Sequence, residues 1–255
     1  MYFETDDLRQ SYVVAKNEIV KFLRGKRIIV HIVITAIFFA MITAVVYYYR
    51  EDIWAGGSEG VTTIYTIFLF LLLIIAATLF SSVTIVSEFE ERTALVLFTR
   101  PIKKTPIFLG KLIGCLAIEM AVLVAYYVGM TIVSFFFNDV SSAILVSFGS
   151  ATLYLLAASG IGMLMSSILK KASTATIITV LLLFLILPVA SSVTGYFGNV
   201  DLWFMLDQAS HAIEIYPPGA LGVPEIDILR AAGVMVVWFI VPTILAWLAF
   251  IRREF

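Results

Sequence analysis

The sequence is poor in charge. Only 14% of its 255 residues are Asp, Glu, Lys or Arg, whereas 61% are apolar. Ordinary soluble domains carry roughly 25% charged and about 45–50% apolar residues. A water-soluble core cannot hide this much apolar side chain. The composition therefore excludes a soluble domain and a disordered chain. Cysteine is nearly missing as well. Cys115 stands alone in an apolar run and can form no internal disulfide, which excludes a secreted disulfide scaffold. The net charge is −1, so no bulk basic field points to nucleic acid. An integral membrane protein remains.

Catalytic chemistry is equally scarce. The two histidines, His31 and His211, lie at the inner end of an apolar run and in a connecting segment, far apart in the chain. They cannot both serve Ser159-Gly160 as an intramembrane protease would require, and no metal-ligand spacing is present. Glu90-Glu91 resembles the start of a metalloprotease motif, but no histidine accompanies it. A phosphate-binding loop needs G-x-x-x-x-G-K-[ST]. Gly110-Lys111 is followed by Leu112, and Gly25-Lys26 by Arg27, so no ATP site is expected in this chain. The first 27 residues are polar and lack the short apolar core of a cleavable leader, so none is expected.

Long apolar runs are what the chain does have. Six of them, 28–49, 61–85, 112–137, 142–169, 172–193 and 231–251, measure between 21 and 28 residues. A spanning helix needs about 20 such residues, and helices satisfy their own backbone in lipid. The runs do not alternate as barrel strands would. The expectation is an all-α, six-helix bundle forming one transmembrane domain over 1–255. Fifteen of the seventeen Lys and Arg fall on one side of the implied topology; only Arg50 and Arg230 fall on the other. That asymmetry predicts a cell-membrane protein with both termini cytoplasmic. Residues 12–27 mix Val13, Val14, Ile19, Val20, Phe22 and Leu23 with Lys16, Lys21 and Arg24. The mixture predicts an amphipathic helix on the inner leaflet, or alternatively an extension of the first span.

Glu119 is the one ionisable residue well inside a span. It is either a carboxyl that joins helices or a polar point in a translocation path or subunit seam. In the fourth run Ala158, Gly162 and Ser166 recur every four residues and form a small-residue stripe; packing within one subunit is the expectation. Residues 194–229 form the only long outer segment; Tyr196, Phe197, Trp203 and Phe204 suit a membrane interface, and Tyr216-Pro217-Pro218-Gly219 ends whatever helix precedes it.

The most patterned segment is the loop 86–111. Glu88, Glu90, Glu91 and Arg92 precede the apolar stretch Ala94 to Phe98, and Pro101 stops a helix. A short helix from about Glu88 to Thr99 is predicted, with its acids at the positive end of the helix dipole.

At these residues the chain resembles the permease subunits of type-2 ABC exporters. That family typically has an acid, any residue, Gly-Thr, an apolar stretch ending in proline, a basic turn and Gly-Lys. Here the order is Glu90-Glu91-Arg92-Thr93, Ala94 to Phe98, Pro101, Lys103-Lys104 and Gly110-Lys111, with Arg92 where glycine is usual. The likeness extends to the lead-in ending FLRGKR, to Ser159-Gly160-Ile161-Gly162, to Lys170-Lys171-Ala172-Ser173, and to Pro188. It implies the membrane half of an ATP-driven exporter. Two permeases, identical or related, would pair and bind two copies of a separate ABC ATPase subunit, which would hold ATP and Mg. It also implies Glu88, Glu90, Glu91, Arg92, Thr93 and Arg100 as the coupling residues, and subunits meeting through the second and fifth spans. Pro188, Val189, Val193 and Tyr196 are then expected at the exit and the dimer seam. The rival readings are a non-transporting membrane scaffold or accessory subunit, and a proton-coupled carrier using Glu119.

Overall fold

The computed structural model describes residues 5–49, 60–91, 103–137, 140–198, 202–216 and 227–253, and among these the chain is helical without a strand. Helix α1, Thr5–Arg24, buries Asp7, Ser11, Ala15, Glu18 and Phe22, a stripe that returns every three or four residues. Its other face exposes Leu8, Tyr12, Val13 and Leu23 among cations. Gly25 is extended at φ −80° and ψ 151°, so α1 ends there and α2, Lys26–Tyr48, begins as a separate helix.

Helix α3, Gly60–Leu79, leads into a turn with a 3-10 stretch at Ser81–Val83, and then into α4, Val86–Glu90. The second apolar run is therefore broken near its inner end rather than continuous. The run Thr78, Ser81, Ser82 and Thr84 explains the break. Thr78, Ser82 and Thr84 each donate back to the carbonyl four residues earlier, competing with the helix ladder.

Helix α5, Lys104–Phe136, has 33 residues. At 1.5 Å per residue it is about 50 Å long, well beyond a bilayer core of about 30 Å. It starts eight residues ahead of its apolar run, and Pro106 falls in the first turn, where no backbone donor is missed. The extension exists to receive α1. A Cβ on Gly110 would lie 2.6 Å from the Ser11 carbonyl oxygen, and one on Gly114 would lie 2.7 Å from Glu18 Cβ. Only glycine permits that approach. The buried stripe of α1 thus lies on α5, and the opposite face is exposed.

Helix α6, Ile144–Ile168, is the hub of the bundle, packed along α10 and against α3 and its break. The fifth span comprises α7, Ala172–Val180, a π-helical stretch Leu181–Ile186, and α8, Leu187–Gly198. The widened turn directly precedes Pro188, which cannot donate to the helix ladder. Helix α9, Leu206–Ser210, and a 3-10 turn at His211–Ile213 follow. Helix α10, Ile228–Arg252, is capped by Asp227, whose carboxylate accepts from the amides of Leu229 and Arg230. Among the described residues, six helical segments are long and apolar enough to cross a membrane.

Candidate functional site

Two polar clusters converge on the break in the second span. The first gathers at the basic end of the bundle. Lys111 is 4% exposed and donates to Glu18, to Glu88 Oε1 at 3.0 Å and to the Thr84 carbonyl at 3.2 Å. All three ammonium protons are thereby used. Lys21 reaches the same Glu88 oxygen at 2.7 Å. Two lysines and two glutamates thus tie α1, α4 and α5 into one neutral knot. Gly110 and Gly114 bring the helices close enough for Glu18 and Lys111 to meet.

Glu90 is committed elsewhere. Its Oε2 accepts from the Ala172 amide at 2.8 Å, so a carboxylate sits at the start of α7, where the helix dipole favours it. Glu91 ends α4 and is exposed. Arg253 closes the other side. Its guanidinium donates to the carbonyls of Ser166, Ser167 and Leu169 and lies 3.9 Å over the Phe89 ring. Lys104 caps the end of α10 through the carbonyls of Ile251 and Arg253. The five residues of α4 are therefore attached, through Glu88, Phe89 and Glu90, to α1, α5, α7 and the residue after α10.

Among the expected coupling residues, Glu88 and Glu90 make these internal contacts and Glu91 faces outward. Arg92, Thr93 and Arg100, with Ala94 to Phe98 and Pro101, lie outside the described residues. Sequence reasoning missed Glu18 and Lys111. Gly110-Lys111 had a visible signal, a glycine and a lysine in a helical register facing an amphipathic stripe, but its partner lies 93 residues away.

The second cluster lies deeper. Glu119 is 1% exposed; its Oε1 accepts from Ser81 at 2.7 Å and its Oε2 from Ser159 at 2.5 Å. The carboxyl joins the broken second span to α5 and α6. Ser166 completes the repair. Its Oγ accepts from the amides of Ile85 and Val86 at 2.9 and 3.0 Å, donors that the break leaves without helical partners. Gly162 and Ser166 face this turn, since a Cβ on Gly162 would lie 3.0 Å from Ser81 Cβ, and Ala158, one turn earlier in the stripe, is buried. The space beside Glu119, bounded by His31, Thr35 and Tyr126, is about 10 Å³. That is no larger than a single water, so among the described residues this space beside the carboxyl is too small for a substrate.

At the acidic end, residues 202–216 tuck beneath the helix ends. Leu206 and Ile213 are buried, and the amide of Ile215 donates to Thr66. Ser147 donates to the Ile213 carbonyl, and Asp207 accepts from Ser191 at 2.6 Å. Trp238 donates to the Phe204 carbonyl, and Arg230 lies 4.1 Å over the Trp203 ring. His211 pairs with Glu214 at 3.3 Å, a hydrogen bond that raises its pKa above the usual histidine value. Pro188 is partly buried, whereas Val189 and Val193 are exposed. The backbone of Tyr196 lies in α8, and its side chain is outside the described set, as are residues 217–226.

Among the described residues, no group of three or more potential metal ligands occurs. No curated protein matches the chain. The family model described as ABC-2 family transporter protein matches residues 12–255, nearly the full length. The matched stretch takes in all six apolar helices and both polar clusters, and the chain therefore belongs to the ABC-2 transporter family as a multi-pass membrane permease of an ABC transporter.

Proposed function

We propose that the chain is the permease subunit of an ATP-driven exporter, coupled to separate ATPase subunits that hold ATP and Mg. The basic end would face the cytoplasm, and α4 with the loop after it would dock into the ATPase. The observation that carries this reading is the wiring of α4. A five-residue helix beyond a broken span, held by Lys111, Glu90 and Arg253, touches four other parts of the bundle. A push on α4 would thus be delivered to α1, α5, α7 and the end of α10 together. The broken turn, held by Glu119 and Ser166, offers the joint at which it can pivot. ATP would bias two arrangements of this joint through the differing affinity of the closed and open ATPase for them.

A second permease, identical or related, would pair with the first. The fifth span exposes Phe184, Leu185, Ile186, Val189 and Val193, an apolar face that suits a seam. The second span exposes only Ile67 and Phe68 among its large described apolar residues, so the fifth span would supply most of the contact. Pro188, Val189, Val193 and Tyr196 would flank the exit at the acidic end. The sparsely polar spans suit a lipid, a hydrophobic drug or a peptide better than a sugar. Both Glu119 oxygens are taken by serine hydroxyls, which supports its joining role over that of a proton carrier.

The test is purification of the chain from its native membrane followed by reconstitution. Co-purification of a P-loop ATPase, with transport that requires ATP hydrolysis, is the expected result. Transport that persists without ATP and follows a proton gradient would favour the carrier. Absence of any transport by the ATPase-bound complex would favour the scaffold.

A further inference from the structure

A groove on the membrane-facing side of the bundle has no part in this coupling scheme. It runs between α2 and α5, has a volume of about 580 Å³, and is walled by Ile32, Ala36 and Ala40 on one side and Ala121, Ala125 and Gly129 on the other. Cavities of roughly 300–1,000 Å³ are the size of small-molecule sites. Ala121, Ala125 and Gly129 recur every four positions on α5 and face Ala36 and Ala40 on α2, which leaves room between the helices, while Ile118, Val122, Phe39 and Tyr126 complete an apolar lining and the Phe39 ring closes over Gly129. Leu23 and Ile28 form its end nearest α1.

The charges at that end select the occupant. Arg24, Lys26 and Arg27 stand between Leu23 and Ile28 in sequence. None has an ion-pair partner among the described residues, and the first turn of α2 contains no acid. The nearby acid Glu18 is consumed by Lys111. The groove lining itself is apolar, and the three cations adjoin its end residues Leu23 and Ile28 in the chain; that pairing complements an acyl chain that ends in an anionic headgroup. A helix from a second copy fits less well. A spanning helix about 10 Å wide and about 30 Å long occupies on the order of 2,000 Å³, several times the groove.

We infer that the α2–α5 groove is a binding site for an anionic phospholipid, with one acyl chain between Ala36 and Ala121 and the phosphate at Arg24, Lys26 and Arg27. The site stands apart from the exporter reading: it requires only that the chain sit in a membrane. It would fasten α2, which touches the rest of the bundle mainly through α3 and the end of α1. It would also place a lipid headgroup beside the helix that bears the Glu18–Lys111 knot.

The experiment uses the full-length chain in liposomes that contain trace photoactivatable phosphatidylglycerol or phosphatidylcholine with the reactive group on the acyl chain. Labelled peptides are mapped by mass spectrometry. Phosphatidylglycerol should label the α2 and α5 peptides several-fold more than phosphatidylcholine. Replacing Arg24, Lys26 and Arg27 by Gln should bring the two lipids level. Ala121→Trp, which fills the slot, should remove labelling of α2, and the milder Ala125→Leu should reduce it if the Trp variant does not fold. Equal labelling by both lipids in the unaltered chain would overturn the proposal. So would efficient disulfide formation between two copies at Ala36→Cys on a Cys115→Ser background, because a second chain would then cover the groove.

Discussion

The spans divide into two sets that are stabilised differently. Within the bundle, the second span is 78% buried over its most apolar window, and the third and fourth are 56% buried. The first, fifth and sixth are 17%, 22% and 28% buried. The inner three are cross-linked by polar groups: Ser81 and Ser159 on Glu119, Ser166 on the amides of the broken turn, and Tyr126 on the Tyr65 carbonyl. The outer three expose apolar faces to lipid or to another subunit. Lipid gives no hydrophobic drive for helices to associate. Specific polar contacts and close approaches therefore decide how the inner helices are fixed; the sixth span joins them by one such approach, where a Cβ on Gly160 would lie 3.0 Å from the Phe239 carbonyl oxygen, and the exposed faces of the rim are left able to bind.

The strongest way to break this division is at the basic knot. Lys111→Ala strips two buried or partly buried carboxylates of their shared cation. Breaking a buried pair from one side costs about 3–5 kcal/mol. The thermal unfolding midpoint should fall accordingly, and Lys111→Met combined with Glu18→Leu should recover most of the loss. If the single and double variants unfold alike, the knot is not what holds α1 to α5.

Glu119→Leu comes next. It leaves two serine hydroxyls without their acceptor, at about 1–3 kcal/mol. Glu119→Gln should be milder, because an amide oxygen still accepts. Equal losses for Leu and Gln would point to a role for the charge itself. Gly162→Val tests the same joint by crowding and should cost about 1–3 kcal/mol. Full stability in that variant would place the stripe away from the Ser81 turn.

Rim changes should behave in the opposite way. Val189→Ser with Val193→Ser should shift the stability of the single chain within about 0.5 kcal/mol, yet lower the dimer fraction in light scattering. An unchanged dimer would move the seam away from the fifth span.

The smallest effect belongs to His211 at the acidic end. Its hydrogen bond to Glu214 raises its folded pKa. The pairing therefore contributes fully below the unfolded value of about 6.5, and the contribution fades as pH rises through the raised folded value. His211 is 36% exposed, so solvent damps the pairing. Unfolding midpoints followed from about pH 6 to about pH 8.5 should decline slightly, and His211→Gln should flatten that slope.

How much of this was legible depends on the length scale of the interaction. The six spans were readable because each is a local run of about 20 apolar residues. Glu119 stood out because a lone carboxyl inside such a run demands a partner. The break at Phe80–Ile85 was missed because Ser81-Ser82 and Thr84 sit among enough apolar neighbours to read as one continuous span. The early start of α5 was missed because Lys104 and Lys111 looked solvated. Lys104 in fact caps α10 and Lys111 is buried in the knot, and both partnerships bridge more than 90 residues. No local pattern announces such pairings; only the glycines at 110 and 114 hint at a helix lying close by.

The central claim is that α4 passes the ATPase stroke into the spans, and Glu91 is its cleanest probe. Glu91 ends α4 and is exposed, whereas Glu88 and Glu90 are occupied within the chain. ATP hydrolysis and transport should be measured together in the reconstituted complex carrying Glu91→Lys. The account predicts a folded permease whose transport and substrate-stimulated hydrolysis are both lost. Undiminished transport with normally stimulated hydrolysis would contradict it.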